Sequence, residues 1–458
     1  MFKKILSLSL ITVFFLTTGF GCKGLSQSQV TSLKPVKLTY WTVYDDVDML
    51  RAFASEYSSR YPHVTIDIRQ VKYDEFDNLF TNALADNVAP DMVSQHVTWL
   101  RKNASRLSGA PVSTQMSRLV IANNFSKDQQ VVTDTNLLQT VSAINKDYVK
   151  TVGQDVVINN KIYGLPLAMD TLSIFYNQDL LDRAGIAEAP KDWNSFIEAV
   201  KKLTKFNSVG DIIQSGTALG TANNIDSAFD IISLFIMQSG VKLSLGNTVT
   251  FANGLEKVQS RNTPVLSALD FYTDFARPTK EAYSWNEKQG KALDQFIRGK
   301  VGFYFGYSYD YKTIKNRAPQ MNFRIMPVFQ LNPESPSNVA NYWVESVVAR
   351  SQNQNEAWDF IRFITSPEGV AKYTAKVFRP SPLRSQITTQ QADENLGPFA
   401  TQAIFAENWY RGNNIDSVMK SFESMISELL KPSANETDLL KKDKAIIINT
   451  AARVQQTM

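Results

Sequence analysis

The sequence predicts an α/β protein in which two doubly wound lobes are linked by a hinge. Strand and helix patterns alternate over residues 36–96, and an apolar stretch broken by Gly164 and Pro166 leads to Asp170 before a second apolar run. Because proline cannot donate to a sheet ladder, Pro166 fits a crossing segment better than a central strand. We therefore expect the chain to pass from one lobe to the other here, at the wall of a cleft.

The N-terminus has the pattern of an export signal. Two lysines precede a charge-free apolar run over residues 5–20, which predicts a signal peptide over residues 1–21. Cys22 is the only cysteine, so it has no partner for an internal disulfide. Acylation of Cys22 after cleavage is the favoured interpretation, with residues 22–35 as a flexible, lipid-anchored linker. Cleavage by an ordinary signal peptidase and an uncleaved anchor are the alternatives.

Composition narrows the classes of function. Without the signal peptide the 458-residue chain keeps 437 residues, enough for two or three domains. Its formal net charge falls from +4 to +2, because the signal holds two lysines and no acids. A near-neutral chain has no electrostatic footprint for nucleic acid. With one cysteine and two histidines, His63 and His96, we expect neither a zinc or copper site nor a cofactor.

The first part of the first lobe, predicted over residues 36–165, begins as a doubly wound unit. Alternating apolar residues predict strands near 36–40, 64–68 and 92–93, with helical stripes between them. This order implies parallel strands and right-handed crossovers. Ligands gather at the carboxyl ends of such strands. The topology alone places five side chains near a cleft, namely Trp41, Tyr44, Asp45, Gln95 and His96.

The remaining chain is predicted in coarser outline. Residues 101–160 are polar and are expected to hold one or two helices. The predicted divisions are 166–302 in the second lobe, 303–328 returning to the first lobe, 329–385 completing the second lobe, and 386–458 as C-terminal helices. Strands are expected near 301–305 and 342–349.

A series of segments along the chain resembles, in the same order, segments of bacterial extracellular solute-binding proteins of family 1, the maltose-binding-protein type. The segments are LTYWTVYDDVDMLRAFASEYSSRYPHVTIDI, APDMV, KIYGLPLAMDTLSIFYNQDLLDRAGI with PKDWNSFIEAV, DQFIRGKVGFYFG, NYWVESVVARSQNQNEAWDFIRFITSPEGVAKY and RPSPLRS, which run in family order from about Val36 to Ser385. The resemblance implies a type II periplasmic-binding-protein fold that closes on a ligand without catalysis. It also implies delivery of the ligand to the permease of an ABC importer.

The resemblance also implies a set of ligand-binding residues. By position these are Trp41, Tyr44, Asp45, Gln95, Asp170, Tyr307, Trp343 and Trp409. Carboxylates and amides form hydrogen bonds with hydroxyl groups, and aromatic rings cover apolar sugar faces. A sugar or an oligosaccharide is therefore the expected ligand. We expect a monomer in the cell envelope, anchored by its lipid on the extracellular or periplasmic side of the membrane.

Alternatives remain for the roles of single residues and for the function of the protein. Asp45 could cap a helix, Trp41 and Trp343 could pack in the core, and His96 fits a satisfied structural histidine. A secreted carbohydrate-active enzyme could use Asp45 and Asp170 as its pair of carboxylates. A surface adhesion or scaffold lipoprotein is another alternative, and so is an importer for peptides, polyamines or another polar solute.

Overall fold

The structure, a computed structural model, describes residues 31–123 and 128–458. The predicted signal peptide, Cys22 and most of the predicted linker lie outside the described residues. Among the helices that are described, none is both long and apolar enough to cross a bilayer.

The strands of the described residues are β1 Val36–Thr42, β2 Val64–Gln70, β3 Met92–His96, β4 Leu107–Ser108, β5 Ser113–Asn123, β6 Asp128–Leu137, β7 Val157–Ile158, β8 Lys161–Ile162, β9 Asp170–Thr171, β10 Ser173–Asn177, β11 Lys205–Phe206, β12 Ile212–Thr217, β13 Ser244–Leu245, β14 Thr248–Val249, β15 Val301–Gly306, β16 Phe323–Pro327, β17 Asn338–Asn341, β18 Trp343–Val348 and β19 Ala406–Glu407.

The α-helices of the same residues are α1 Val47–Arg60, α2 Tyr73–Ala85, α3 Leu100–Asn103, α4 Val141–Asp147, α5 Lys150–Val156, α6 Gln178–Arg183, α7 Trp193–Leu203, α8 Ala228–Gln238, α9 Pro264–Asp274, α10 Ala292–Ile297, α11 Ser308–Arg317, α12 Gln354–Ile364, α13 Pro367–Val377, α14 Arg384–Gln390, α15 Gly397–Ala403, α16 Ile415–Leu429 and α17 Glu436–Gln455.

The first lobe is built on a five-stranded sheet in the order β2-β1-β3-β18-β4. β1 pairs in parallel with both β2 and β3, which confirms the predicted doubly wound unit. β18 arrives from a distant part of the chain and pairs antiparallel with β3 and β4. Helix α1 buries Leu50, Phe53 and Tyr57, as the helical spacing of these residues predicts.

The second lobe has a sheet of the same size in the order β11-β12-β15-β10-β16. β12 and β15 are parallel, and β10 is antiparallel to both of its neighbours. Helix α7 buries Trp193, Phe196 and Val200, which confirms the predicted amphipathic stripe. In both sheets the fourth strand in the order runs antiparallel, and the chain enters it directly after crossing between the lobes.

Two of the predicted divisions between the lobes are wrong. Residues 303–328, predicted to return to the first lobe, contribute β16 and most of β15 to the second-lobe sheet. Residues 329–385, predicted for the second lobe, contain β18, α12 and α13, which pack in the first lobe. The reason is that partners far apart in the sequence decide these placements. β15 pairs with β12, and β18 pairs with β3.

Residues 101–160 hold more than the predicted helices. Helices α4 and α5 confirm the helical part, but β5 and β6 form a long antiparallel hairpin that the sequence pattern does not predict. Polar side chains on both faces of the hairpin weaken its period-two pattern. Asn355 covers part of the β5 edge, because its Oδ1 accepts from the Gln115 nitrogen (2.8 Å) and its Nδ2 donates to the Gln115 oxygen (2.8 Å).

The lobes are joined through a small sheet in the order β19-β17-β9. Leu165 still bonds to the first-lobe sheet, since its nitrogen donates to the Glu345 oxygen (3.1 Å). β9 pairs with β17, and Ser173 then opens β10 of the second lobe. The chain therefore crosses between residues 165 and 173, where the prediction from Gly164 and Pro166 placed it.

Candidate functional site

A cavity of about 550 Å³ lies between the two lobes, beside the small sheet that joins them. Its size is typical of small-molecule sites, which occupy roughly 300–1,000 Å³. Both lobes and the crossing segments line it, and the polar and aromatic members of the lining include Tyr44, Tyr73, His96, Thr98, Asp170, Asp226, Asp230, Tyr307, Tyr309, Asn341, Trp343, Arg379, Asn408, Trp409 and Asp416. We call this cavity the cleft.

The first-lobe wall of the cleft is a cluster of aromatic rings at one edge of the sheet. Trp343 opens β18 and pairs with His96 at the end of β3, because the two strands run antiparallel. The Trp343 ring lies 5.4 Å from the Tyr44 ring and 5.6 Å from the Trp99 ring. Tyr44 is 56% exposed, so its ring offers an open face to a ligand.

Hydrogen bonds hold the aromatic rings of the second-lobe wall. The rings of Tyr307 and Tyr309 stack 5.5 Å apart, and the Tyr307 hydroxyl donates to Asp230 (2.7 Å). Trp409 donates from Nε1 to the Ser233 hydroxyl (3.0 Å). These bonds fix the orientation of the rings, so the wall is preformed.

A hydrogen bond between two cleft residues joins the first lobe to the second. The Tyr73 hydroxyl, on α2 of the first lobe, donates to Asp416 Oδ1 (3.2 Å), on α16 of the second lobe. Tyr73 also stacks on Tyr44, with 6.2 Å between the rings. Contacts of this kind exist only while the lobes are close, so they favour a closed arrangement.

Burial shifts the pKa values of two cleft residues, Asp230 and His96. It raises the pKa of Asp230 to about 6, against the lowering effect of the Tyr307 hydroxyl. It lowers the pKa of His96 to about 4, so that the imidazole is neutral at pH 7. The two ring nitrogens of His96 lie 2.7 Å from the Thr98 hydroxyl and 3.2 Å from Asn341 Oδ1. These contacts fit the alternative of a satisfied structural histidine.

Five of the eight predicted ligand-binding residues line the cleft, namely Tyr44, Asp170, Tyr307, Trp343 and Trp409. Asp170 is nevertheless occupied, because its carboxylate accepts from the Ser308 nitrogen (3.0 Å), the Ser308 hydroxyl (2.6 Å) and the Thr171 nitrogen (2.9 Å). Burial raises the pKa of Asp170 to about 6, and the Ser308 hydrogen bonds oppose that shift. Asp170 thus fixes the start of α11 beside the cleft.

The other three predicted residues, Trp41, Asp45 and Gln95, lie outside the cleft lining, so the prediction that they form the ligand wall is wrong. Trp41 pairs with Arg69 on β2, whose guanidinium group covers the indole at 5.0 Å. Gln95 is fully buried one position before the end of β3. Successive strand side chains point to opposite faces, so this single step separates Gln95 from His96.

Asp45 is held by two hydroxyl groups within the first lobe. Its carboxylate accepts from Thr42 (2.6 Å) and from Tyr373 (3.0 Å). Of the two neighbouring acids it is Asp46 that caps α1, accepting from the Met49 nitrogen (2.8 Å). Asp45 and Asp170 therefore do not face one another across a shared cavity, as paired catalytic carboxylates would.

Several cleft residues were not predicted from the sequence. Tyr73 follows β2 closely, so the rule that ligands gather at carboxyl ends of strands could have identified it. Asp230 and Asp416 lie in the first turns of α8 and α16. No local pattern distinguishes those two carboxylates from ordinary first-turn acids, which favour helix N-termini.

Comparisons with known proteins agree with this architecture. A family model described as bacterial extracellular solute-binding protein matches residues 47–371. The chain is 21% identical over 390 residues to an uncharacterized ABC transporter extracellular-binding protein of Pyrococcus horikoshii, covering 80% of this chain and 77% of that protein. It is 25% identical over 251 residues to an arabinooligosaccharide-binding protein of Bacillus subtilis, covering 52% of this chain and 49% of that protein. The chain spans about half the length of the first curated relatives it matches.

A solved structure shows the same fold. The cyclic α-maltosyl-1,6-maltose binding protein of Arthrobacter globiformis superposes with a TM-score of 0.69 at 17% identity, covering 92% of this chain and 100% of that one. The predicted two-lobed, type II periplasmic-binding-protein fold is confirmed.

A buried acid behind the second-lobe wall yields a test of pH dependence. Asp310 accepts from the Tyr304 hydroxyl (3.0 Å) and the Tyr307 nitrogen (3.1 Å), and burial raises its pKa to about 7 from the ordinary 3.8. The folded chain therefore binds this proton more tightly than the unfolded chain does. For this group the free energy of unfolding falls as pH rises from about 4 to about 7, by up to about 1.4 kcal/mol per pH unit.

We expect Asp310→Asn to remove that part of the decrease, because the amide keeps an acceptor oxygen but does not titrate. Urea unfolding between pH 4 and pH 8 measures the difference between variant and wild type. Asp48→Asn, at a site with an 89% exposed side chain, is the matched control. If the free energy of unfolding fell equally with pH in wild type and in Asp310→Asn, the raised pKa of Asp310 would be contradicted.

Proposed function

Because the chain belongs to the bacterial extracellular solute-binding protein family, we propose that it is the substrate-binding component of an ABC importer and captures a sugar or an oligosaccharide in the cleft. The observation that carries this proposal is the cleft itself, with aromatic rings on both walls and polar groups between them. Aromatic faces suit the apolar sides of sugar rings, and the polar groups suit their hydroxyls. The oligosaccharides bound by relatives of the same fold support this assignment.

We propose Tyr44, Trp343, Tyr307 and Trp409 as the aromatic surfaces that contact the ligand. Tyr44 and Trp343 belong to the first lobe, and Tyr307 and Trp409 belong to the second. A ligand that touches both pairs makes contacts that exist only when the lobes are close. It therefore favours the closed state by its differential affinity for that state. Asp170 contributes by holding α11 in place.

A thermal-shift screen against pentose and hexose oligosaccharides tests the proposed ligand class. Polyamines and short peptides belong in the same screen, because the cleft lining has four carboxylates, Asp170, Asp226, Asp230 and Asp416, against one arginine, Arg379. We expect a sugar to raise the melting temperature of the wild type. A shift with polyamines or peptides alone would refute the sugar assignment.

Tyr44→Ala should weaken the binding of a sugar found in this screen at least tenfold, which is about 1.4 kcal/mol. The reason is that the substitution removes an exposed aromatic surface of the cleft. Titration calorimetry measures the change. Phe206→Ala is the matched control, since Phe206 is similarly exposed (46%) and lies outside the cleft lining. Equal losses in both variants, or none in Tyr44→Ala, would count against the proposed wall.

Closure should be visible as a change of shape. We expect small-angle scattering to show a smaller radius of gyration at saturating sugar than without it, because the ligand draws the lobes together. Tyr44→Ala at the same sugar concentration should show less compaction. An unchanged scattering curve at saturation would rule out hinge closure.

We also propose that the protein is a lipoprotein that works as a monomer at the outer face of the membrane. The support is the sequence pattern of residues 1–22, with Cys22 as the acylated residue. Expressed with its own leader, the wild type should incorporate a palmitate analogue and pellet with membranes, and Cys22→Ala should do neither. Labelling of Cys22→Ala would exclude this site of acylation.

A further inference from the structure

A second cavity, of about 220 Å³, lies in the second lobe beside the cleft. It is bounded by α8, by α16 and by the loop that precedes α8. Four residues line both cavities, namely Asp226, Phe229, Asp416 and Met419. The smaller cavity therefore adjoins the cleft, and we call it the side chamber.

The side chamber is apolar inside and charged at its rim. Its accessible apolar surface comes from Ala222, Phe229 and Met419, and the lining residues Ile225, Ile232 and Phe422 are buried. Its charged lining residues are all exposed, Lys420 and Glu423 as well as the two carboxylates it shares with the cleft. A hydroxyl group placed among the apolar side chains would give up water without gaining a partner. An apolar group would lose no hydrogen bond there, and the removal of its surface from water would favour binding.

A packed cluster of aromatic rings lies between the cleft and the side chamber. The Phe229 ring lies 5.8 Å from the Trp409 ring, which lines the cleft. It lies 5.1 Å from the Phe422 ring, which lines the side chamber. Phe229 therefore presents apolar surface to both cavities.

We infer that the side chamber binds an apolar substituent of the solute, such as an aryl or short alkyl aglycone, while the sugar part occupies the cleft. This inference rests on the proposed sugar-binding function and adds a ligand class to it. The volume is adequate, since an apolar protein cavity of roughly 150 Å³ holds a benzene molecule. The preferred solute is accordingly a glycoside with an apolar aglycone.

Matched methyl and phenyl glycosides of the same pentose and hexose disaccharides test this inference by titration calorimetry on the full chain. Ala222 lines the side chamber but not the cleft, so Ala222→Leu should fill the chamber. Ala222→Val is a milder filling variant if the leucine variant does not fold. Ala189→Leu is the control, because Ala189 is also partly buried and lines neither cavity.

In the wild type and in Ala189→Leu, we expect the phenyl glycoside to bind at least tenfold more tightly than the methyl glycoside. In the Ala222 variants this advantage should shrink or disappear, while the affinity for the methyl glycoside stays within about twofold of wild type. Equal affinities in the wild type, or an undiminished advantage in both Ala222 variants, would overturn the side-chamber inference alone. Failure of every glycoside to bind would overturn the proposed sugar function, and this inference with it.

Discussion

Each lobe takes one strand of its sheet from the chain that has just crossed from the other lobe. The two strands are β10 and β18, and both run antiparallel to their neighbours. An antiparallel strand begins at the edge where its neighbour ends, so Ser173 meets Gly306, and Trp343 meets His96. The crossings are thereby fixed at the edges that carry the aromatic walls. The position of the cleft follows from this exchange of strands.

The walls of the cleft combine apolar surface with polar groups that are already engaged. Tyr307 is held by Asp230, and Trp409 is held by Ser233. A ring that is oriented before the ligand arrives loses little conformational freedom on binding, and this lowers the cost of association. Tyr44 differs from these rings because it is exposed. The cleft thus pairs a rigid second-lobe wall with a more open first-lobe wall.

Local pattern predicted the first-lobe unit and the crossing near Pro166, because both depend on residues close together in the sequence. It did not predict which lobe β15 and β18 join, since their partners lie far away in the chain. In the site, strand alternation decided the outcome. Gln95, one position before the end of β3, is buried. The next residue, His96, and its strand partner Trp343 both line the cleft. Asp416 carried no local signal at all.

The hydrogen bonds of Asp170 connect the joining sheet to the cleft wall. The residue belongs to β9 of the joining sheet, and it accepts from the nitrogen and the hydroxyl of Ser308 at the first residue of α11. Tyr309 stands on the same helix and faces the cleft. Because these hydrogen bonds connect the first turn of α11 to the joining sheet, we expect a rotation about that sheet to move Tyr309 as well. A ligand that contacts the Tyr309 ring would thus touch a helix that is hydrogen-bonded to the sheet between the lobes.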